Sequence, residues 1–192
     1  ELQNKVSGFK KKLLDVREKR VKPGLDNKIL TSWNAMMIKG YADSYKVFGE
    51  EKFLKAALRA SDNILKNLSR EDCGLYHAGE INGFLEDYCF ATEAFISLYQ
   101  ATFDETWLNE ARALADYAIK HFYDPASGMF YFTSDLDTAL ITRKMEIQDN
   151  VMPSSNSSMA NFFSALVFSS IFVLFLNFVI STLIVYFAAK IL

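Results

Sequence analysis

The sequence predicts an all-α protein, a partial (α/α) toroid of stacked helical hairpins with one small β-hairpin and a long apolar helix at its C-terminus. Three observations support this prediction. Apolar residues recur at helical spacing over most of the chain. The pattern of residues 41–76 occurs again at 95–130. Residues 162–192 carry a single charge and differ in composition from everything before them.

The N-terminal half predicts three helices. Residues 1–22 have apolar residues on a rough helical spacing among many Lys and Arg, which is typical of a solvated amphipathic helix. A second helix is predicted from Leu30 to Phe48, with Thr31 or Ser32 as its N-cap. A third follows from about residue 50 to Leu68. Their apolar stripes predict that the second and third helices pair as a hairpin.

The middle of the chain predicts two further helices and a β-hairpin. Residues 69–84 are rich in glycine and predict turns with one short extended piece. Helices are predicted over 85–103 and 105–122. The aromatic and β-branched runs 129–133 and 140–144 then predict the two strands of the hairpin.

The two predicted hairpins overlay each other as copies of one unit, and the alternative is the loose alignment that any two amphipathic helix pairs give. A single shift along the chain places Phe53-Leu54 on Trp107-Leu108, and Gly74-Leu75-Tyr76 on Gly128-Met129-Phe130 without a gap. A single unit cannot bury its own apolar faces, so the repetition predicts a stacked array or ring. The spacing between the copies suits an (α/α) toroid, in which inner helices alternate with outer ones.

Composition excludes several classes of function. The 192 residues include 21 basic and 23 acidic side chains, for a formal net charge of −2, so the overall balance gives no electrostatic case for nucleic acid as a partner, and the basic residues of 1–22 leave a nucleic-acid patch there only as the less favoured alternative. The sequence has no P-loop, GxGxxG or GxSxG motif, and its two cysteines form no CxxC. No cofactor and no metal is therefore expected. Two free thiols and the lack of a secretory signal favour the cytoplasm, and the start at Glu1 suggests a fragment of a longer protein.

Three motifs carry a family resemblance: DNKILTSWNAMM at 26–37, GFLEDY at 83–88 and PSSNS at 153–157. Together they resemble the thioredoxin-domain-containing, spermatogenesis-associated proteins over about residues 10–161. The resemblance implies a C-terminal six-hairpin toroid similar to those of N-acylglucosamine 2-epimerases and several glycosidases. It also implies a carbohydrate-related role and a thioredoxin-like domain upstream as a partner. After residue 161 the chain departs from the family, where further amphipathic hairpins are expected.

Toroid geometry predicts where the chemistry lies. Loops that precede inner helices converge on one funnel, and inner helices are predicted to begin near Ser32, Glu86 and Asn156. Sugar chemistry needs one protonated and one ionised carboxyl group beside aromatic surfaces. The predicted catalytic residues are Asp26, Glu86 and Asp87. The predicted substrate-binding residues are Trp33, Asn34, His77, Tyr88 and Asn156.

Structural roles are open for the same residues. Glu86 and Asp87 could cap a helix N-terminus, and capping explains one of them more easily than both. Trp33 could belong to the core, and the two asparagines could be caps. Of the histidines, only His77 is placed to face the funnel, so the pattern disfavours an epimerase that uses two histidine bases.

The sequence thus leaves three functions open. The first is a carbohydrate-active domain, over residues 1–161, that binds, hydrolyses or isomerises a sugar. The second is a non-catalytic toroid that serves as a scaffold for the thioredoxin-like domain. The third is a membrane-anchored protein, and it rests on the tail 162–192 alone.

The tail itself has competing interpretations. The segment 162–189 carries no charge, and a helix of that length can cross a hydrocarbon core of about 30 Å. The same composition is expected of a frameshifted terminus, and a buried hydrophobic helix is the third possibility. As written, the tail predicts a long apolar helix that partitions into membranes or aggregates.

Overall fold

The computed structural model describes residues 2–138 and 142–164, and within them the protein is mostly helical. The helices are α1 (Leu2–Glu18), α2 (Thr31–Phe48), α3 (Glu51–Asn63), α4 (Leu85–Thr102), α5 (Glu105–Phe122) and α6 (155–164). A π-helical turn, Ile64–Leu68, extends α3. Two antiparallel pairs of short strands complete the fold: β1 (Tyr76–Ala78) with β2 (Ile81–Asn82), and β3 (Tyr123–Asp124) with β4 (Met129–Phe130). The predicted helical architecture is confirmed in these ranges.

The repeat determines the helix boundaries. The shift that overlays the two sequence copies also carries the bounds of α2 onto those of α4, and the helical stretch 51–68 onto α5. The helices α2 and α4 pack against each other, and each also packs against its own partner, α3 or α5. The two hairpins therefore lie side by side with α2 and α4 as the inner pair, as the toroid prediction requires.

The core centres on α4, which is buried on most of its surface because neighbouring helices flank it. Its residue Tyr88 is buried, and the Tyr88 ring stacks on Tyr117 and contacts Phe122, both at centroid distances of 5.1 Å. The Tyr88 hydroxyl accepts a hydrogen bond of 2.9 Å from the backbone N–H of Leu75. This aromatic stack ties the extended piece after the first hairpin to the second hairpin.

The predicted N-cap of α2 is wrong. Leu30 occupies the N-cap position without a side-chain cap, and both predicted caps point elsewhere. The hydroxyl of Thr31 donates to the carbonyl of Tyr76, and the backbone N–H of Ser32 donates to Asp87. Hydrogen bonds to residues distant in sequence take the place of a local cap. These hydrogen bonds connect α2 to the loop after the first hairpin and to α4.

The predicted pairing of the β-hairpin is also wrong. Met129–Phe130 pairs with Tyr123–Asp124, which follows α5 directly, and residues 142–144 form no strand. Residues 140 and 141 lie outside the described ranges. The Asp124 carboxylate accepts hydrogen bonds from the N–H groups of residues 126 and 127, and Gly128 adopts a φ of 72°. These contacts close a tight turn that pairs β4 with the nearer segment.

The described residues include no helix with both the length and the apolar character that a membrane crossing requires. Of the predicted apolar tail, only residues 162–164 are described, and they belong to α6. Residues 165–192, and with them the predicted long apolar helix, lie outside the described residues.

The Phe103→Gly substitution is expected to stabilise the protein. Phe103 ends α4 with a φ of 56°, whereas the equivalent residue of the first hairpin, Gly49, has a φ of 69°. Only glycine adopts this conformation without steric cost, and the Phe103 side chain is 80% exposed. The free energy of unfolding should rise by about 1 kcal/mol, measured by urea denaturation.

The reciprocal control is Gly49→Ala, which should lower the free energy of unfolding by a similar amount. The Phe103 ring contacts Tyr99 at a centroid distance of 6.4 Å. A loss of stability in Phe103→Gly would mean that this aromatic contact outweighs the backbone strain.

Candidate functional site

The N-termini of the inner helices meet at one end of the array. The backbone N–H of Ser32, in α2, donates to the Asp87 carboxylate, in α4, at 2.9 Å. The thiol of Cys89, also in α4, contacts the carbonyl of Ser155, the first residue of α6, at 3.3 Å. The starts of α2, α4 and α6 therefore surround the region where the sequence predicts a funnel.

Asp87 is the buried centre of this region. Its carboxylate accepts hydrogen bonds from the backbone N–H groups of Phe84, at 2.8 Å, and Ser32. The Nδ1 atom of His77 lies 3.0 and 3.2 Å from its two oxygens. Burial raises the pKa of Asp87, while the charge of His77 and these hydrogen bonds oppose the rise. The carboxylate caps α4, joins it to α2 and holds the imidazole in place.

The Asp87 carboxylate and an aromatic neighbour fix the position of the His77 ring. Its ring packs on Phe84 at a centroid distance of 4.8 Å, and Phe84 in turn stacks on Phe132 at 5.0 Å. Because Nδ1 faces the Asp87 carboxylate, a neutral His77 with its proton on Nδ1 presents an unprotonated Nε2. That atom is a potential base or hydrogen-bond acceptor.

Glu86 and Glu146 form the carboxyl pair of the site. Both line one cavity of about 220 Å³ with residues 148 and 150–153. The hydroxyl of Ser32 donates to Glu86 at 3.4 Å, and that of Ser155 donates to Glu146 at 2.9 Å. Burial raises the pKa of Glu86, and the charges of Asp87 and Glu146 raise it further. Glu86 is thus biased towards its protonated form, which is the form that a general acid requires.

Glu146 is absent from the sequence predictions. It lies in the irregular segment 142–154, where no periodicity distinguishes one polar residue from another. The only signal was its position shortly before an expected inner helix, where a loop should approach the funnel.

Two predicted site residues lie at the surface. Asp26 belongs to an exposed segment without regular secondary structure and pairs with Lys28 at 3.1 Å, an interaction that lowers the pKa of Asp26. Among the described residues, no hydrogen bond links Asp26 to Glu86 or Asp87. Trp33 follows Ser32 at the start of α2, and its side chain is 59% exposed. Trp33 is therefore available to a ligand, whereas Asp26 is held by its neighbour.

The remaining predicted residues are engaged within the protein. Tyr88 is buried in the aromatic stack, and the amide of Asn34 donates to a carbonyl of the preceding turn at 2.8 Å. Asn156 accepts from the N–H of Phe130 and donates to the carbonyls of Phe130 and Glu146, at 2.8 to 2.9 Å. It fixes β4 and the backbone of Glu146 to the start of α6. The polar atoms of these three residues bind groups of the protein itself.

Three side chains of the site are of the types that can ligate a cation. Donor atoms of His77, Glu86 and Asp87 lie within 4.8 Å of one another. However, the oxygens of Asp87 already accept two backbone N–H groups and contact the imidazole. The cluster also lies at the N-terminus of α4, where the helix dipole disfavours positive charge. Hydrogen bonding therefore accounts for this cluster better than metal ligation does.

The Glu86→Gln substitution is expected to stabilise the protein at neutral pH. The folded-state pKa of Glu86 is raised above its ordinary value of 4.5, so ionisation favours the unfolded chain as pH rises. Well below pH 4.5 the carboxyl group is protonated in both states, and the variant should match the wild type. The difference should develop between pH 4.5 and the raised pKa, and persist at pH 7. Thermal unfolding midpoints across this range measure it.

The control is Glu105→Gln, at the exposed start of α5, for which no such gain is expected at pH 7. If Glu86→Gln were less stable than the wild type at pH 7, ionised Glu86 would be stabilising. The argument from its burial would then be incorrect.

The fold is a partial array of helical hairpins like that of (α/α) toroids. Among solved structures, the chain is similar to a D-mannose isomerase, with a TM-score of 0.57, 18% identity, and 72% of this chain and 38% of that one covered. It is similar to the cellobiose 2-epimerase of Spirochaeta thermophila, with a TM-score of 0.56, 16% identity, and 64% and 35% covered. It is also similar to a GH76 α-mannanase of Bacteroides thetaiotaomicron, with a TM-score of 0.52, 23% identity, and 58% and 33% covered. At these identities the likeness establishes the fold alone.

Sequence similarity confirms the family resemblance. Spermatogenesis-associated protein 20 of Rattus norvegicus is 32% identical over 165 residues, which is 78% of this chain and 21% of that protein. The Homo sapiens protein is 30% identical over the same length. The chain therefore spans about a fifth of the length of the curated relatives that it matches. No protein-family model matches it.

Proposed function

We propose that this chain forms part of a carbohydrate-processing site, in which Glu86 and Glu146 are the acid–base pair. The observation that carries the proposal is that both carboxyl groups line one cavity at the end where the inner helices begin. The similar toroids named above include an epimerase, an isomerase and a mannanase, all named for sugars, which supports a carbohydrate as the ligand.

The proposed chemistry divides the work between the two carboxyl groups. Burial raises the pKa of Glu86, which favours the protonated form that can donate a proton to a sugar oxygen. Glu146, whose carboxylate accepts a hydrogen bond from the hydroxyl of Ser155, is the group that accepts a proton from water or from the sugar. In this proposal Glu146 takes the place of Asp26 as the second carboxylate.

His77 and Trp33 have supporting roles in the proposal. The Asp87 carboxylate orients the imidazole through Nδ1, so Nε2 can accept a hydrogen bond from a sugar hydroxyl or act as a second base. The exposed indole of Trp33, next to Ser32, offers an apolar surface on which a sugar ring can stack.

A second candidate is the non-catalytic scaffold. The observation that favours it is that Asp87 and Asn156 use their polar atoms within the protein. A scaffold of this kind would dock a thioredoxin-like domain of the longer protein. It would need no proton transfer by Glu86 or Glu146.

Sugar binding and turnover separate the two candidates. The full chain, purified in mild detergent, is mixed with mannose, glucose or cellobiose, and saturation-transfer NMR detects binding. Anomeric proton signals then report hydrolysis or isomerisation. We expect binding in the wild type, its weakening in Glu86→Gln and Glu146→Gln, and no effect in Glu105→Gln.

Each result favours one candidate. Turnover that both cavity variants abolish supports the acid–base pair. Binding without turnover supports a sugar-binding site that lacks the proposed chemistry. The absence of saturation transfer to all three sugars would contradict the carbohydrate proposal and favour the scaffold.

A further inference from the structure

The N-terminal helix α1 lies outside the hydrophobic core. None of its residues is buried, and every residue from 2 to 29 is exposed. Phe9 and Leu13, two large apolar side chains, are 64% and 71% exposed. A helix of 17 residues has little stability of its own in water, so its apolar residues need a partner surface.

The apolar residues of α1 form one narrow stripe. At 3.6 residues per turn, spacings of four, three, four and three keep side chains on one face. The residues with this spacing are Leu2, Val6, Phe9, Leu13 and Val16. The opposite face carries polar and charged residues, among them Lys11, Asp15 and Glu18. The helix is therefore amphipathic.

Basic residues border the stripe on both sides. Lys5 and Lys12 lie along one edge, and Lys10 and Arg17 along the other. Beyond the helix the chain continues with Lys19, Arg20 and Lys22. The overall charge of the protein conceals this local excess, because the remaining residues compensate for it.

The charge pattern indicates the partner. In a dimer of two α1 helices, like charges at both edges would face each other and repel. Anionic lipid headgroups complement these edges, since Lys and Arg extend their charged ends to the headgroups while their stems cover apolar surface. An apolar stripe with Phe and Leu, a polar opposite face and Lys-rich edges are the features of a helix that lies in a bilayer interface.

We propose that α1 binds the surface of an anionic membrane, with the stripe from Leu2 to Val16 inserted at the boundary between headgroups and acyl chains. This role is independent of the proposed sugar site. It differs from a membrane span, because α1 lies parallel to the surface and its polar face remains in water.

The test compares two neighbouring leucines. Leu13 belongs to the stripe, whereas Leu14 lies on another face and is also exposed. Leu13→Asp and Leu14→Asp change charge and helix propensity equally, so they differ only in position. The full chain is floated with vesicles of phosphatidylcholine alone or with about 30% phosphatidylserine. The neutral vesicles measure the binding that does not depend on anionic headgroups, which includes any contribution of the apolar residues 162–192.

We expect wild-type protein to bind the anionic vesicles more tightly than the neutral ones, with the excess removed at about 0.5 M salt. Leu13→Asp should reduce the excess roughly tenfold, and Leu14→Asp much less. Lys12→Glu should weaken it more than Lys11→Glu, which lies on the polar face. Circular dichroism and thermal unfolding verify that the hairpins remain folded.

Two outcomes would overturn the proposal. The first is equal partitioning of the two leucine variants, because the stripe would then have no part in binding. The second is protection of α1 from hydrogen exchange in the absence of lipid that rises with protein concentration. In that case a second copy of the chain, and not a membrane, covers the stripe.

Discussion

Asp87→Ala is expected to lower the free energy of unfolding by about 3–4 kcal/mol, the largest effect of any substitution considered. The change removes the acceptor of the backbone N–H groups of Ser32 and Phe84. Ser32 is buried, so its N–H would be left without water as a substitute. The change also releases His77 and removes the acidic cap of α4.

Urea denaturation of a matched series measures this effect. Asp87→Asn keeps one side-chain oxygen as an acceptor, so roughly half of the loss is expected. Asp116→Ala removes an exposed carboxylate of α5 and should change stability by less than about 0.5 kcal/mol. A loss below about 1 kcal/mol in Asp87→Ala would show that the carboxylate does not hold the two helices together.

The neighbouring acids Glu86 and Asp87 have different surroundings, although the sequence does not distinguish them. Asp87 is buried and accepts hydrogen bonds from both α2 and the turn before α4. Glu86 is half-buried and lines the cavity with Glu146. Capping thus accounts for Asp87. Glu86 is therefore the carboxyl group of the two that a ligand can reach. For this reason the proposed chemistry is assigned to Glu86.

The helices could be predicted because their signals are local and repeated. Apolar spacing marks each buried stripe, Gly49 ends α2, and the sequence repeat transfers each boundary to the next hairpin. The π-helical turn at the end of α3 was not foreseen. Its hydrogen bonds reach one residue further while the apolar spacing hardly changes, so the sequence pattern contains no sign of it.

The segment that holds Glu146 could not be predicted, because contacts distant in sequence determine its position. The backbone N–H of Phe132 donates to the carbonyl of Lys144 at 2.7 Å, and Asn156 donates to the carbonyl of Glu146. Neither contact leaves a periodic pattern in residues 142–154. Residues 142–144 of the predicted second strand form no strand, because β4 pairs with β3, the segment directly after α5.

Gly83→Ala is expected to lower the free energy of unfolding by about 2–3 kcal/mol. A Cβ atom at position 83 would lie 2.7 Å from the carbonyl oxygen of Leu75 and 3.1 Å from the ring of Tyr88. Neither neighbour can move freely. The Gly83 N–H donates to that same carbonyl at 2.8 Å, and the Tyr88 hydroxyl binds the Leu75 N–H.

The control for Gly83→Ala is Gly40→Ala. Gly40 lies within α2, where an added Cβ would meet no atom within 4 Å, so alanine should stabilise the helix by about 0.5–1 kcal/mol. Opposite signs for the two glycines are the expected result of urea denaturation. Because Phe84 follows Gly83 and donates to Asp87, the shift forced by alanine should also displace the carboxylate that orients His77. Equal stability of Gly83→Ala and the wild type would show that the loop of Leu75 can move away from the start of α4. The hydrogen bonds of Asp87 alone would then hold the site together.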